Sequence, residues 1–396
     1  MQIKKERVLH IVSGIAPGLS GTGRLMSYLV AQNKFEKDTK IHFHYAYSPS
    51  TNIRTMIASR QFIKAIYSVV RIWFSKRWFA CKIYYLSKRL RGKILIFHPQ
   101  TLGFNRTLQL MRTCGNKATL FGLDNSFFCV RSYNYIPGTS ESCLRCIGGN
   151  FASVTELNCL PLPVASARGL SFVKELRTLL GLGQIKVLAQ NQQNAELYRR
   201  HVGNNINVQT VGLWAQDWDG LSRASEYTQS LVDYDIVYHG DISAAKGGRW
   251  LLEVARNLPN VRFLFPISAP LDLDDIPSNI DFKPMSWESG LHQAVVKAKI
   301  VCVPSLWSAT IEGAFIKSIM CARAVACVKV DAIYNAELPE NLVLRLESTP
   351  SLAAHRLNEA LDTDWVPDSQ VHASWVREFK SKNENMLRNI VDAIYD

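Results

Sequence analysis

Short apolar runs alternate with segments of helical periodicity along the first half of the chain. Runs of this length predict buried strands, and they lie at 8–13, 41–47, 94–97, 119–123, 186–189 and 208–214. The helical period appears between them, at 24–32, 54–93, 104–113 and 171–180. This order of elements predicts a parallel sheet covered by helices.

The alternation restarts after a polar stretch at 215–232, which we interpret as an interdomain linker. Strands are predicted at 235–239, 261–266, 300–304 and 324–330, and helices at 248–257, 288–298 and 312–321. The sequence therefore predicts an α/β fold with two tandem Rossmann-like, doubly wound domains, residues 1–214 and 215–374, facing across a cleft. An amphipathic helix at 375–396 is expected to pack back on the first domain.

Composition sets limits on the class of protein. A chain of 396 residues with 47% apolar residues can bury two cores, so disorder is excluded. No apolar run approaches the roughly 20 residues of a membrane-spanning helix. Nine cysteines are too few for a disulfide framework, and no secretory signal is recognisable, so we expect a cytoplasmic protein. The net charge of +13 indicates an anionic partner.

The positive charge is concentrated in one interval. No Asp or Glu occurs between Asp38 and Asp124, whereas 15 Lys and Arg do. Within 54–93, cations alternate with aromatic residues, a pattern typical of helices that bind anionic membrane surfaces. A solvated basic face on a core helix and a nucleic-acid site are the alternatives. The residues expected at the membrane are Arg71, Trp73, Lys76, Arg77, Trp78, Lys82, Lys88 and Arg89.

A glycine-rich turn links the first strand to the first helix. Gly21, Thr22 and Gly23 follow that strand, where backbone N–H groups at a helix start attract anions. The spacing is not G-x-G-x-x-G, and no acid ends the second strand, so a hydride-transfer enzyme is disfavoured. A plain tight turn is the alternative interpretation.

Two further turns follow strands of the second domain. Gly240, Asp241 and Lys246 precede a predicted helix, and a lysine there can reach a diphosphate. Ser308 or Thr310 could cap the helix that begins near Glu312. A purely structural capped helix explains each turn separately, but not why both lie at one sheet edge.

These segments resemble the retaining GT-B-fold glycosyltransferases of glycosyltransferase family 4. The resemblance spans nearly the whole chain and is strongest at 240–266, with its lysine-glycine pair and "LPNVRF", and at 298–330, with "VPSLW" before a helix. It implies that Lys246 contacts the donor pyrophosphate, that Gly21–Gly23 approach the phosphates and sugar, and that Glu312 lies at the donor helix. His98, which follows the third strand, sits where members carry a cleft histidine; a structural histidine is the alternative.

The chain departs from the family at several positions. Asp241 replaces an arginine, and the paired glutamates of the family align with Ala309 and Lys317. Lys317 therefore suggests a donor with a carboxylate or an unusual nucleotide. Asp124 stands where the family has the second residue of a His-Asp pair, and the resemblance makes it a catalytic candidate with His98 and Lys246.

Four cysteines are close together in an insertion at 124–160. Cys143 and Cys146 form a C-x2-C pair, and Cys129 and Cys159 flank them. Four thiolates at this spacing could hold a structural Zn²⁺. A disulfide or redox pair and unconnected buried thiols are the alternatives.

The sequence thus predicts a glycosyltransferase that moves a sugar from a nucleotide-sugar donor to a saccharide, with retention of configuration. The expected acceptor is lipid-linked, in synthesis of a bacterial surface polysaccharide, lipopolysaccharide or glycolipid. We expect no cofactor in catalysis, no nucleic-acid partner, and a peripheral location at the inner face of the cell membrane. A sugar-nucleotide epimerase and an inactive membrane-binding or nucleic-acid-binding module are the alternatives.

Overall fold

The computed structural model describes residues 7–18, 21–33, 38–47, 53–136, 139, 141–162, 166–214, 233–267, 276–307, 312–330 and 337–396. The chain divides into two compact units. Unit 1 comprises Met1–Ser132, Arg145–Trp214 and Asn385–Asp396, and unit 2 comprises Tyr133–Leu144 and Ala215–Glu384. The predicted linker at 215–232 lies outside the described residues.

Unit 1 is built on a six-stranded parallel sheet. Its strands are β1 (Arg7–Ser13), β2 (Thr39–His44), β3 (Lys93–Phe97), β4 (Ala118–Gly122), β5 (Lys186–Ala189) and β6 (Asn207–Thr210), in the order β2-β1-β3-β4-β5-β6. Its helices are α1 (Gly21–Gln32), α2 (Ile53–Ala58), α3 (Phe62–Lys88), α4 (Pro99–Leu102), α5 (Phe104–Cys114), α6 (Ala152–Glu156), α7 (Gly169–Gly181) and α8 (Gln192–Val202). The order changes direction beside β1, so the carboxyl ends of β1, β3 and β4 are adjacent.

Unit 2 repeats this plan with a second six-stranded parallel sheet. Its strands are β7 (Ile236–Tyr238), β8 (Phe263–Ile267), β9 (Ile280–Pro284), β10 (Ile300–Cys302), β11 (Val325–Val328) and β12 (Leu344–Leu346), in the order β12-β11-β10-β7-β8-β9. Its helices are α9 (Gly248–Arg256), α10 (Leu291–Lys297), α11 (Gly313–Cys321), α12 (Pro350–Asp362) and α13 (Ser369–Asn383). The neighbours β7 and β10 bring their following loops together. Two doubly wound parallel sheets confirm the predicted α/β class.

The end of the chain forms two helices rather than the single predicted one. Helix α13 contributes Trp375 to the core of unit 2, whereas α14 (Met386–Tyr395) belongs to unit 1. The hydroxyl of Tyr395 donates to Val8 O at 2.5 Å, and Lys186 Nζ donates to Ala393 O. The break between the helices separates these two packing roles.

Helix α3 carries most of the predicted membrane segment. It is 27 residues long and buries only Ala65, Ser68, Phe79, Ile83 and Ser87. Large apolar side chains elsewhere on it are exposed, up to 85% for Ile63 and 75% for Trp78. No described helix is both long enough and apolar enough to span a bilayer.

Candidate functional site

The loop after β7 is held in place by a buried tyrosine. Tyr238 donates a hydrogen bond to Asp241 O at 2.6 Å, and its hydroxyl lies 3.3 Å from Lys246 O. A Cβ on Gly240 would lie 2.7 Å from that hydroxyl, so only glycine lets the loop pass over the ring. Burial, and next the Glu312 carboxylate, raise the pKa of Tyr238 well above its ordinary value, so its proton remains available.

The loops after β7 and β10 touch each other. Gly247 has a φ of 76°, and a Cβ there would lie 2.0 Å from Pro304 O. Leu306 N donates to Ala245 O at 2.9 Å. These contacts fix Lys246, at the end of one loop, beside the second loop.

The Lys246 ammonium is the centre of a cluster of charged and aromatic groups. It lies 2.5 Å from Glu312 Oε1, 4.7 Å from the centroid of Trp307 and 5.8 Å from that of Tyr133. The two aromatic rings meet edge to face at 4.5 Å. Cation–π attraction and the ion pair together hold the ammonium at the carboxyl edge of the sheet.

Glu312 is 6% exposed and precedes α11 as its N-cap residue. Its Oε1 pairs with Lys246, and its Oε2 accepts a hydrogen bond from the Ser305 hydroxyl. A carboxylate this deeply buried needs such partners. Because both oxygens are engaged within the protein, Glu312 positions the Lys246 ammonium. Ser305 was not among the predicted site residues, although it belongs to the "VPSLW" segment.

Lys317 lies in a second cluster of the same unit. Its ammonium is 4.7 Å from the centroid of Trp287, and the His239 ring stacks on Trp287 at 5.0 Å and 11°. His239 Nδ1 lies 2.9 Å from the Ser318 hydroxyl. Burial, and next Lys317, lower the pKa of His239 to about 3, so the ring is neutral and structural.

His98 lies at the carboxyl edge of the sheet in unit 1. It has a φ of 50°, and its Nδ1 is 2.8 Å from the Thr101 hydroxyl. The turn that it begins lies against Gly14, where a Cβ would be 2.1 Å from Leu102 N. Burial lowers the pKa of His98, and the charge of Asp124 acts in the opposite direction. His98 and Asp124 are therefore electrostatically linked.

Asp124 is held by groups that the sequence did not reveal. Gln100 Nε2 donates to its Oδ2 at 3.1 Å, and Ser126 N donates to its Oδ1 at 2.9 Å. Gln100 Nε2 also lies 2.9 Å from the Ser132 hydroxyl. The position of Gln100 in the turn after β3, at a strand end, is the signal that could have identified it.

The structure brings some predicted site residues together. Gly240, Asp241, Lys246 and Glu312 form one group, Lys317 lies by Trp287, and His98 and Asp124 form the group in unit 1. Gly21, Thr22 and Gly23 form the first turn of α1, where Gly23 O accepts from Gly18 N at 3.1 Å. Ser308 and Thr310 lie outside the described residues.

The predicted zinc ligands are not gathered into one site. All nine cysteines are described, and none forms a disulfide. Cys143 belongs to unit 2, whereas Cys129, Cys146 and Cys159 belong to unit 1. Within the described ranges, no three His, Cys, Asp or Glu side chains are placed to hold a metal ion. As placed in the structure, these cysteines do not form the four-thiolate site that their spacing suggests.

Comparison with known proteins gives structural matches only. No protein-family model and no curated protein matches the sequence. Sucrose-phosphate synthase from Thermosynechococcus elongatus is similar in structure, with a TM-score of 0.62 and 12% identity over 98% of both chains. Anabaena HepE in complex with UDP-glucose has a TM-score of 0.60 and 8% identity, over 97% of this chain and 99% of that one.

A third similar structure is the lipopolysaccharide outer core galactosyltransferase WaaB, with a TM-score of 0.53 and 8% identity. The match covers 98% of this chain and 99% of WaaB. At sequence identities this low, structural similarity is evidence of a shared fold and not of a shared activity. With two parallel six-stranded sheets and these neighbours, the chain has the GT-B fold that its sequence predicts.

Proposed function

We propose that this protein is a glycosyltransferase that moves a sugar from a nucleotide-activated donor to a saccharide acceptor. The observation that carries the proposal is the Lys246 ammonium, held by Glu312 and two aromatic rings at the carboxyl edge of a doubly wound sheet. Ligands of such sheets bind at that edge. The fold neighbours support the proposal, since they include a galactosyltransferase and a HepE complex with UDP-glucose.

The proposed chemistry depends on charge that develops on the departing diphosphate. A preformed ammonium and the start of α11 stabilise that charge more than they stabilise the bound donor, which lowers the barrier. In this scheme, the positive field comes from the protein. Glu312 keeps the ammonium in place before the donor arrives, and Ser305 keeps Glu312 in place. Transfer with retention of configuration follows from the resemblance to family 4.

Replacing Lys246 with Ala tests the proposal. We expect transfer from the preferred donor in a panel of UDP-, GDP- and CMP-sugars to fall about 100- to 1000-fold, as when one transition-state donor is removed. UDP affinity, measured by calorimetry, should fall as well. Lys297→Ala is the matched control, because it removes the same charge from an exposed site on α10. Unchanged transfer by Lys246→Ala would overturn the mechanism.

The acceptor part of the proposal is a lipid-linked saccharide at an anionic membrane surface. Helix α3 supports it, because exposed aromatic side chains alternate there with cations and the helix contains no acid. Arg77 lies 4.3 Å from the centroid of Trp73, and Arg89 lies 4.9 Å from that of Tyr85. Cations next to exposed aromatic rings suit the interface between lipid headgroups and acyl chains. We therefore propose peripheral membrane association and a role in surface polysaccharide or glycolipid synthesis.

A further inference from the structure

A cavity of about 530 Å³ lies within unit 1, where α3 meets α4, α5 and the residues before α7. We propose that this cavity, called the acceptor cavity below, binds the phosphate-bearing end of the lipid-linked acceptor and its first sugar. The inference rests on the proposed function, since it names where and how that acceptor is held. A volume of this order suits one sugar with a phosphate group.

The charge of the cavity wall favours a phosphate. Arg106 and Arg168 line it, and none of the described lining residues is an acid. The Arg106 guanidinium is half-buried, donates to Leu102 O at 2.8 Å and lies 5.9 Å from the centroid of Phe79. An arginine fixed in this way presents its remaining N–H groups in a geometry that suits phosphate oxygens.

A buried amide forms part of the inner wall. Gln100 lines the cavity and is 3% exposed. Its Nε2 is engaged by Asp124 and Ser132, but its Oε1 has no hydrogen-bond partner in the described part of the chain. The hydrogen bonds to Asp124 and Ser132 hold the Gln100 side chain in place, so this part of the wall is preformed before the acceptor binds.

The mouth of the cavity is continuous with the exposed face of α3. Tyr84 lines the cavity and is 56% exposed, and Lys88 lies 5.8 Å from the centroid of its ring. An acyl chain that leaves the cavity at Tyr84 would therefore meet apolar side chains rather than water alone. A free sugar phosphate would gain nothing from this surface. A cavity that opens onto an exposed apolar surface favours a ligand with both a polar head and an apolar chain.

The test uses the full chain and farnesyl diphosphate as a water-soluble probe, with binding measured by calorimetry. Arg168→Gln should weaken farnesyl diphosphate binding about tenfold, as expected for one hydrogen bond to a charged group. Asn105→Trp, at an exposed position on the lining, should block binding without unfolding the unit. Lys117→Gln is the control, because it removes one charge from an exposed residue outside the cavity and should have no effect.

Two further probes separate the sources of binding. If inorganic diphosphate binds as tightly as farnesyl diphosphate, the prenyl chain contributes nothing and the proposal of a lipid-linked ligand is wrong. If farnesol binds as tightly as farnesyl diphosphate, the proposal that the cavity recognises a phosphate is wrong. Unchanged farnesyl diphosphate binding in both Arg168→Gln and Asn105→Trp would place the ligand elsewhere and reject the inference. UDP binding should be unchanged in these variants and weakened in Lys246→Ala, so failure of the acceptor cavity is distinguishable from failure of the donor site.

Discussion

Helices α3 and α14 both carry many apolar residues, and both belong to unit 1, yet they use them differently. Met386, Leu387, Ile390, Val391, Ala393 and Ile394 of α14 are all buried. Helix α3 is nearly three times as long but buries only two large apolar side chains, Phe79 and Ile83. One helix completes a core, whereas the other holds most of its apolar surface in solvent.

The difference shows that apolar content does not by itself identify a core helix. The apolar residues of α14 repeat at the helical period and so form one stripe, which the sheet covers. Those of α3 surround the helix and alternate with Lys and Arg, so one protein face cannot cover them all. A surface of this kind marks an interaction site.

The largest expected effect is on stability. Ile390→Ala removes a fully buried side chain and should lower the free energy of unfolding by about 2–5 kcal/mol. Trp78→Ala on α3 should change it by less than about 0.5 kcal/mol, because that side chain is exposed. Urea denaturation followed by circular dichroism measures both. Equal losses in the two variants would mean that α3 is a core helix after all.

Vesicle binding should show the reverse order. The double replacement Trp73→Ser and Trp78→Ser should weaken cosedimentation with anionic vesicles by about tenfold or more, since each exposed ring would bury apolar area in the lipid. Ile390→Ala, where folded, should leave it unchanged. Leu182→Ser, which removes an exposed apolar side chain from another part of unit 1, is the control. A wild-type chain that stays in the supernatant at low salt would reject the membrane proposal.

Charge should contribute less than the aromatic rings. Lys76→Gln should weaken vesicle binding by about fivefold, because each basic residue near the surface contributes about 1 kcal/mol. The effect should disappear at high salt, where surface charges are screened. Binding curves at low and high NaCl measure both. A salt-independent loss would indicate that Lys76 acts through packing.

The smallest expected effect is the pH dependence of stability that comes from the histidines near Lys82 of α3. His10 stacks on His42 and His44, and Lys82 of α3 lies within electrostatic reach of His10 and His44. Burial, and next Lys82, lower the pKa of His44 to about 4, and burial also lowers that of His10.

These rings are neutral in the folded protein at pH values where the unfolded chain would bind protons. The histidines therefore do not change the free energy of unfolding above about pH 6.5. Below that pH the unfolded chain takes up protons that the folded protein does not, so the free energy of unfolding falls as the pH decreases toward 4. Urea midpoints at pH 7.5 and 5.0 should show this fall, and His44→Gln should reduce it. If the difference between the urea midpoints at the two pH values is the same in His44→Gln as in the wild type, the pH dependence comes from other groups.

Buried parallel strands were the most predictable part of the fold. The strand at 186–189 is predicted to the residue, because Val187, Leu188 and Ala189 form the short apolar run that is typical of a buried parallel strand. Strand β9 was missed, since it lies at the sheet edge and buries only Ile280. Helix α8 was missed as well, because its sequence is polar; Asn191 marks its start by accepting a hydrogen bond from Asn194 N at 2.7 Å.

Site residues were predictable only where polar or charged side chains lie in a loop that directly follows a predicted strand. Lys246 and Glu312 could be placed at one sheet edge, since adjacent parallel strands precede their loops. That Glu312 binds Lys246 and Ser305 was not foreseeable, because side-chain pairing depends on loop geometry. Cysteine spacing was misleading, since no three His, Cys, Asp or Glu side chains in the described ranges come together as possible metal ligands.

The assignment of Tyr133–Leu144 to unit 2 has a consequence for anyone who wishes to study the halves separately. A gene fragment that ends at residue 214 would lack α14, and the complementary fragment would lack the tyrosine ring beside Lys246. Neither fragment contains all of the residues that its own half requires. Separate production of either half would need a rearranged gene in which distant segments of the coding sequence are joined by new linkers.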